Sequence, residues 1–194
     1  MNVHVPNLRK SCYIELRKIS QIRPFIDEKC AIQLVGSYVL SRLDYCNCLF
    51  FNMSCENFNK LQLVQNHAAR IVKRASKRDS AKSILFELHW LPIKYRVSFK
   101  IALIVFKCLH TDNFTSYIKD LISIYTPSRT LRSSDSFLLK KPVMKLHTFG
   151  DKSFSYAAPE VWNDLPPEIR FTSSLTIFKK KLKTYFFQKA FYDL

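Results

Sequence analysis

Glycine occurs only twice among the 194 residues of this chain, at Gly36 and Gly150. Glycine is the residue that most readily adopts a positive φ, and the tight turns between β-strands depend on such residues. So few glycines argue against a β-sandwich with many turns and favour a helical protein. Apolar residues make up 47% of the chain, which is enough to build a core and argues against disorder.

Apolar side chains recur at helical spacing through residues 1–124. The clearest stripe predicts a helix that Ser54 caps and that buries one face, formed by Phe58, Leu61, Gln65, Ala68 and Val72. Six helices are predicted in this part of the chain, and they begin near Tyr13, Pro24, Ser54, either Asp79 or Ser80, Pro92 and Asp112. The sequence therefore predicts a mainly α fold.

The helical period stops at Tyr125, where the sequence Thr-Pro-Ser-Arg-Thr-Leu-Arg-Ser-Ser follows. This stretch is rich in turn formers, so we predict a boundary between a domain at 1–124 and a segment at 125–194. In the second segment, residues 137–140 and 145–149 could pair as a short β-hairpin within about 136–149. A terminal helix capped by Ser173 or Ser174 completes the prediction.

Positive charge is the second strong feature, because 31 Lys and Arg residues stand against 15 Asp and Glu, a formal net charge of +16. Segment 60–107 contains eleven basic and two acidic residues, and segment 170–189 contains six basic residues and no acidic one. Such concentration is expected of a surface that binds a phosphate backbone, and an ordinary solvated face is the alternative. We predict two nucleic-acid-binding surfaces: the first basic patch is Arg70, Lys73, Arg74, Lys77 and Arg78, and the second basic patch is Lys179, Lys180, Lys181 and Lys183.

A catalytic centre is not predicted. Nucleotidyl transfer needs carboxylates close together to hold divalent metals, but the fifteen acidic residues are scattered and no two aspartates are adjacent. The adjacent pair Asp27-Glu28 sits at an early helix turn, which indicates capping. Two isolated glycines cannot form a Gly-rich phosphate loop. We therefore expect that the chain on its own is not an enzyme, with no catalytic residue, no cofactor and no small-molecule substrate.

Six cysteines occur in a chain without an apolar leader, so we predict free thiols in a reducing intracellular compartment, either nucleus or cytoplasm. Cys46, Cys48, Cys55 and His67 could form a zinc site. Cys46 and Cys48 on one helix would point about 200° apart, however, so we predict buried free cysteines and no metal site. No apolar stretch approaches the ~20 residues that cross a bilayer, so no membrane partner is predicted.

The two tryptophans lie in the pairs His89-Trp90 and Trp162-Asn163. Aromatic rings beside cationic residues can stack on unpaired bases. Both tryptophans sit within Leu- and Pro-rich turns, so we predict that they pack in the core instead.

A series of short motifs runs through the chain. It begins with Ser41-Arg42-Leu43-Asp44-Tyr45-Cys46-Asn47 and continues with Leu61-Gln62, Val64-Gln65-Asn66, Ala68-Ala69-Arg70, Leu88-His89-Trp90-Leu91-Pro92, Arg96 and Phe99-Lys100. It ends with Leu131-Arg132-Ser133, Gly150-Asp151, Phe154, Ala158-Pro159, Trp162-Asn163, Leu165-Pro166, Phe178-Lys179 and Leu182-Lys183. In order and spacing, the series resembles the region after the palm in non-LTR (LINE-type, jockey-like) retrotransposon reverse transcriptases. Cys48 and Asn52 depart from that pattern, in which a small hydroxyl residue and a glycine are common.

The resemblance implies a helical thumb-like bundle followed by a smaller helical C-terminal segment. The implied partners are RNA or an RNA/DNA hybrid, gripped during target-primed reverse transcription, together with the palm and fingers of the parent enzyme. The parent is an RNA-directed DNA polymerase whose palm aspartates bind a divalent metal, expected to be magnesium, and neither that palm nor the endonuclease is found in these residues. Because Met1 falls in the middle of that architecture, we expect a non-catalytic fragment, and the alternative is an inert structural relic of a truncated element.

Overall fold

A computed structural model describes residues 3–111, 115–127, 137–143 and 150–192, and in these ranges the protein is mainly helical, as predicted. Short 3₁₀ turns occur at Arg23–Phe25 and Asn47–Phe50, and a π turn at Gly36–Leu40. The described α-helices are α1 His4–Ile22, α2 Glu28–Val35, α3 Ser41–Asp44, α4 Cys55–Lys73, α5 Ala81–Glu87, α6 Ile93–His110, α7 Ser116–Asp120, α8 Phe154–Asn163, α9 Pro167–Arg170 and α10 Leu175–Phe191.

The chain forms two compact units. The first unit comprises Met1–Asn47, Met53–Arg96 and Phe187–Leu194, and the second comprises Cys48–Asn52 and Val97–Phe186. Tyr125, where the sequence predicts a domain boundary, lies inside the second unit. Residues 112–114, where a helix is predicted to start, lie outside the described residues, but the helix itself is present as α7 at Ser116–Asp120. Its predicted inward residue Tyr117 is 69% exposed, so that orientation was wrong. The motif Leu131-Arg132-Ser133 lies outside the described residues.

The first unit is built on α1 and α4, which pack against each other. Leu61, Gln65, Ala68 and Val72 are buried as the periodicity of α4 predicts, and Phe58 is half-buried. The predicted start of α1 at Tyr13 was wrong, because the helix begins at His4. Val5 and Cys12 are fully buried, and Pro6 is tolerated because it lies in the first turn, so packing extends this helix toward the N-terminus.

The helix predicted to open at Pro24 begins later and faces another way. Pro24 lies in a 3₁₀ turn, and Asp27 caps α2 by accepting a hydrogen bond from the backbone N of Cys30 at 2.7 Å, which confirms its predicted capping role. The helical pattern predicts that Ile26, Cys30, Leu34, Tyr38 and Leu43 face inward, but Tyr38 is 51% exposed and the first three are only half-buried. Leu43 is buried as predicted, and Ala31, Val35 and Val39 are buried on a face that was not predicted. These last three are alanine or valine, which are small and draw less notice in a sequence pattern than the larger Leu34 and Tyr38.

In the second unit, α8 holds an extended segment at Phe137–Lys140 in place. Leu139 forms an antiparallel bridge with Ile124, and the backbone N of Tyr125 donates to the carbonyl O of Leu138 at 2.8 Å. The first half of the predicted hairpin thus pairs with the chain around Ile124, and the second half, 145–149, lies outside the described residues. The pattern of the terminal helix α10 predicts that Phe178, Leu182, Tyr185 and Phe186 face inward. Phe178, Leu182 and Phe186 are buried, and Tyr185 is half-buried.

Candidate nucleic-acid interface

The first basic patch surrounds the end of α4, where Arg74 adopts the left-handed conformation with a φ of 53°. The Arg74 guanidinium turns back toward the preceding loop. Its Nη2 donates hydrogen bonds to the carbonyl O of Arg23 at 2.8 Å, of Pro24 at 3.2 Å and of Ile26 at 3.3 Å. At least one amino group of Arg74, which was predicted to bind phosphate, is therefore occupied by hydrogen bonds within the fold.

Arg23 makes the reciprocal contact. Only 8% of Arg23 is exposed, and its Nε donates to the carbonyl O of Ile71 at 3.1 Å and of Val72 at 3.2 Å. Its Nη2 donates to Val72 O at 2.7 Å, and its Nη1 to Ile26 O at 2.7 Å. The last carbonyls of an α-helix have no partner within the helix, so Arg23 supplies the donors that the end of α4 requires.

The remaining members of the first basic patch differ in their surroundings. Lys73 Nζ lies 2.9 Å from a carboxylate oxygen of Glu28 and 3.6 Å from one of Glu87, and the hydrogen bond to Glu28 raises the pKa of Lys73. Arg70 Nη2 donates to the carbonyl O of Asp79 at 3.2 Å. Lys77 and Arg78 are exposed. Within the predicted patch, these last two are the cations most open to a ligand.

A second group of residues lies around His67, includes Arg70 and Lys77, and was not predicted from the sequence. Although the His67 side chain is exposed, neighbouring groups remove part of its hydration, and this is the main cause that lowers the pKa of His67; the positive charges of Arg70 and Lys77 lower it further. The His67 ring centroid lies 5.7 Å from that of Tyr13, and the Arg9 guanidinium lies 5.6 Å from the Tyr13 centroid. We name Arg9, Tyr13, His67, Arg70 and Lys77 the Tyr13–His67 cluster.

The second basic patch lies on α10. Phe178, Leu182 and Phe186 bury one face of this helix, and Lys179, Lys180 and Lys183 are exposed elsewhere on its surface. Lys181 Nζ donates instead to the carbonyl O of Glu168 at 3.1 Å. Among the residues described, no acidic side chain forms an ion pair with the three exposed lysines.

Several residues of the motif series contact one another. Arg96 holds Asp44 in a two-point contact, with Nε donating to Oδ1 at 2.8 Å and Nη2 to Oδ2. The fully buried Gln65 donates to the carbonyl O of Leu91 at 2.9 Å. In the second unit, both polar atoms of the Asn163 side chain hydrogen-bond the backbone of Leu139, each at 2.9 Å. These motif residues therefore tie helices and turns together.

The predicted core role of the tryptophans is confirmed, because Trp90 is 8% exposed and Trp162 is fully buried. All six cysteines are free thiols, and Cys12 and Cys108 are buried while Cys30 and Cys48 are half-buried. The expectation of burial was wrong for Cys46, in the turn after α3, and for Cys55, the exposed first residue of α4. In residues 3–111, 115–127, 137–143 and 150–192, no three His, Cys, Asp or Glu side chains come together as metal ligands.

The helices in the described ranges are also too short or too polar to cross a membrane. No protein-family model matches this sequence, and comparisons with curated proteins and with solved structures give no significant match. The candidate interface therefore rests on its own residues: two basic patches, and the Tyr13–His67 cluster next to the first of them.

Proposed function

We propose that this chain binds RNA or an RNA/DNA hybrid through its basic surfaces, as the thumb-like and C-terminal part of a non-LTR retrotransposon reverse transcriptase. The observation that carries the proposal is the group of exposed lysines Lys179, Lys180 and Lys183, which lies outside the buried face of α10 and which we name the lysine ridge. Segment 170–189 contains no acidic residue to neutralise this ridge. Clustered, unopposed ammonium groups attract a phosphate backbone and release its counterions on binding.

Contacts among the motif residues support the family part of the proposal. Asp44 with Arg96 and Gln65 with Leu91 are pairs of motif residues that join segments far apart in sequence. Asn163 joins its motif to the backbone of Leu139. Residues that contact each other in this way need their partners at a fixed spacing, which fits the ordered series of motifs. The proposal assigns the chain a binding role and no catalytic step. The magnesium ion and the aspartates of the parent polymerase belong to its palm, and we propose that palm as a further partner.

Exposed apolar side chains favour the second candidate, an inert structural relic. Phe25 is 87% exposed, Tyr45 75% and Phe171 58%. Apolar surface that has lost its partner promotes self-association. In that case the purified chain would elute as concentration-dependent oligomers in size-exclusion chromatography and would bind no nucleic acid, whereas the binding proposal expects RNA to be bound whatever the oligomeric state.

The lysine ridge gives a direct test of the binding proposal. Changing Lys179, Lys180 and Lys183 together to alanine is expected to flatten the log–log salt dependence of RNA affinity by about 0.7 for each lost phosphate contact on a single strand. Fluorescence anisotropy of labelled RNA across a salt series measures this slope. The same three positions changed to arginine keep their charge and should keep the slope.

Lys181→Ala is the second control, because the Lys181 ammonium already donates to Glu168 O. This variant should leave the slope nearly unchanged. Equal salt-dependence slopes for wild type and the triple alanine variant would show that Lys179, Lys180 and Lys183 do not contact RNA.

A further inference from the structure

Arg9, Tyr13 and His67 form a short stack on the surface of the first unit. The Tyr13 and His67 ring centroids are 5.7 Å apart with an interplanar angle of 49°, and the Arg9 guanidinium lies 5.6 Å from the Tyr13 centroid. Arg9 and Tyr13 are four residues apart on α1, so they share one face of that helix. A planar cation and two aromatic rings therefore follow one another across α1 and α4.

This stack is not part of the core. Arg9 and His67 are exposed and Tyr13 is half-buried, whereas the neighbouring residues Ala68 and Val64 of α4 carry the buried contacts. The two tryptophans, which were the other aromatic candidates, are buried. Within the described ranges, the Tyr13–His67 cluster thus combines accessible aromatic rings with accessible positive charge.

Positive charge surrounds the rings. Arg70 lies one turn beyond His67 on α4, and Lys77 follows the end of that helix. The positive charges of both residues lower the pKa of His67. Arg17, one turn beyond Tyr13 on the same face of α1, is exposed as well. The acidic residue that follows in the chain, Asp79, has its carboxylate engaged by the backbone N of Ser76 at 2.6 Å. The cluster therefore offers flat rings for stacking and cations for phosphate.

We infer that the Tyr13–His67 cluster binds unpaired bases of single-stranded RNA, with His67 and the Arg9–Tyr13 pair stacking on bases while Arg70 and Lys77 contact the adjoining phosphates. Every base presents a flat face, so such a surface binds single strands with little sequence preference. In an A-form duplex the base faces are covered by their neighbours and side chains reach only the edges and the backbone. The inference rests on the proposed function and adds a preference for unpaired RNA.

The test compares three labelled probes with the full chain: oligouridine of about 16 nucleotides, an abasic ribose-phosphate strand of the same length, and duplex RNA. His67→Ala is expected to weaken oligouridine binding about tenfold, in line with the loss of roughly one stacked base. His67→Phe keeps a flat ring and should bind like wild type. Both variants should keep the wild-type salt slope, since no phosphate-binding cation is removed.

Tyr13→Leu keeps the half-buried packing volume and should also weaken oligouridine binding, whereas Tyr117→Leu, at a residue 69% exposed in the second unit, is the matched control and should not. Wild type should bind the abasic strand more weakly than oligouridine, by more than the roughly tenfold loss expected for His67→Ala, because the abasic strand lacks every base that could stack. Unchanged oligouridine affinity in His67→Ala, or an equal loss on duplex RNA, would overturn the stacking inference and leave the proposed function standing. Failure of wild type to bind any of the three probes at low salt would overturn both.

Discussion

Trp162→Ala is expected to lower the free energy of unfolding by about 3–5 kcal/mol, the range typical of a deleted core aromatic. Trp162 is fully buried in α8, and its ring centroid lies 5.9 Å from that of Phe178 and 6.0 Å from that of Phe137. Its Nε1 also donates to the carbonyl O of Phe137 at 2.9 Å. Alanine would leave a cavity and an unpaired carbonyl at once.

Chemical denaturation followed by far-ultraviolet circular dichroism measures this loss. Trp162→Phe keeps most of the ring and removes the donor, so it should cost less, about 1–2 kcal/mol. Phe171→Ala is the matched control, because that ring stacks on Phe137 at 6.4 Å but is 58% exposed. A loss for Trp162→Ala no larger than that of Phe171→Ala would contradict the assignment of Trp162 to the centre of the second unit.

Arg23→Met is expected to lower the free energy of unfolding by about 2–4 kcal/mol, because it removes several charge-assisted hydrogen bonds and leaves buried carbonyls unpaired. The carbonyls of Ile71 and Val72 at the end of α4 both accept from the Arg23 side chain. Methionine fills a similar volume, so the change isolates the hydrogen bonds. Lysine at this position should recover only part of the loss, since a single ammonium cannot reproduce the fork of donors.

Arg17→Met is the control for Arg23, because Arg17 is exposed on the neighbouring helix α1 and carries the same charge. The control should change stability by no more than about 0.5 kcal/mol. Both variants are measured by the same denaturant titration. If the two substitutions cost equally little, the end of α4 is satisfied without Arg23 and the capping role is wrong.

The fold class followed from composition and periodicity, because two glycines leave few turns and the α4 stripe repeats strictly. The orientation of α2 did not follow, since its buried face is made of small residues such as Ala31 and Val35. The start of α1 was missed for a related reason: Val5 and Cys12 become core residues only when α4 covers them. Contacts between segments supply the information that a local pattern lacks.

The accessibility of the basic patches could not be predicted from local sequence either, because it also depends on contacts between segments. Local sequence marks Lys73 and Arg74 as surface cations, but Glu28 and the carbonyls of 23–26 come from an earlier segment and engage them. Burial further removes Arg170, 5% exposed, from any phosphate surface, and this burial lowers its pKa. Arg23 and Arg74 stabilise the fold, because a guanidinium can donate to several carbonyls, whereas the exposed lysines remain accessible to solvent or a ligand.

The affinity of the wild-type chain for single-stranded RNA, an RNA/DNA hybrid and duplex DNA, measured from about 50 to about 200 mM salt, tests the central claim most directly. The account predicts binding to RNA-containing probes with a log–log slope of about −3 or steeper, because several cations displace counterions together. An absence of binding even at the lowest salt would contradict it: the net charge of +16 would then be a solvated face, and the chain an inert relic.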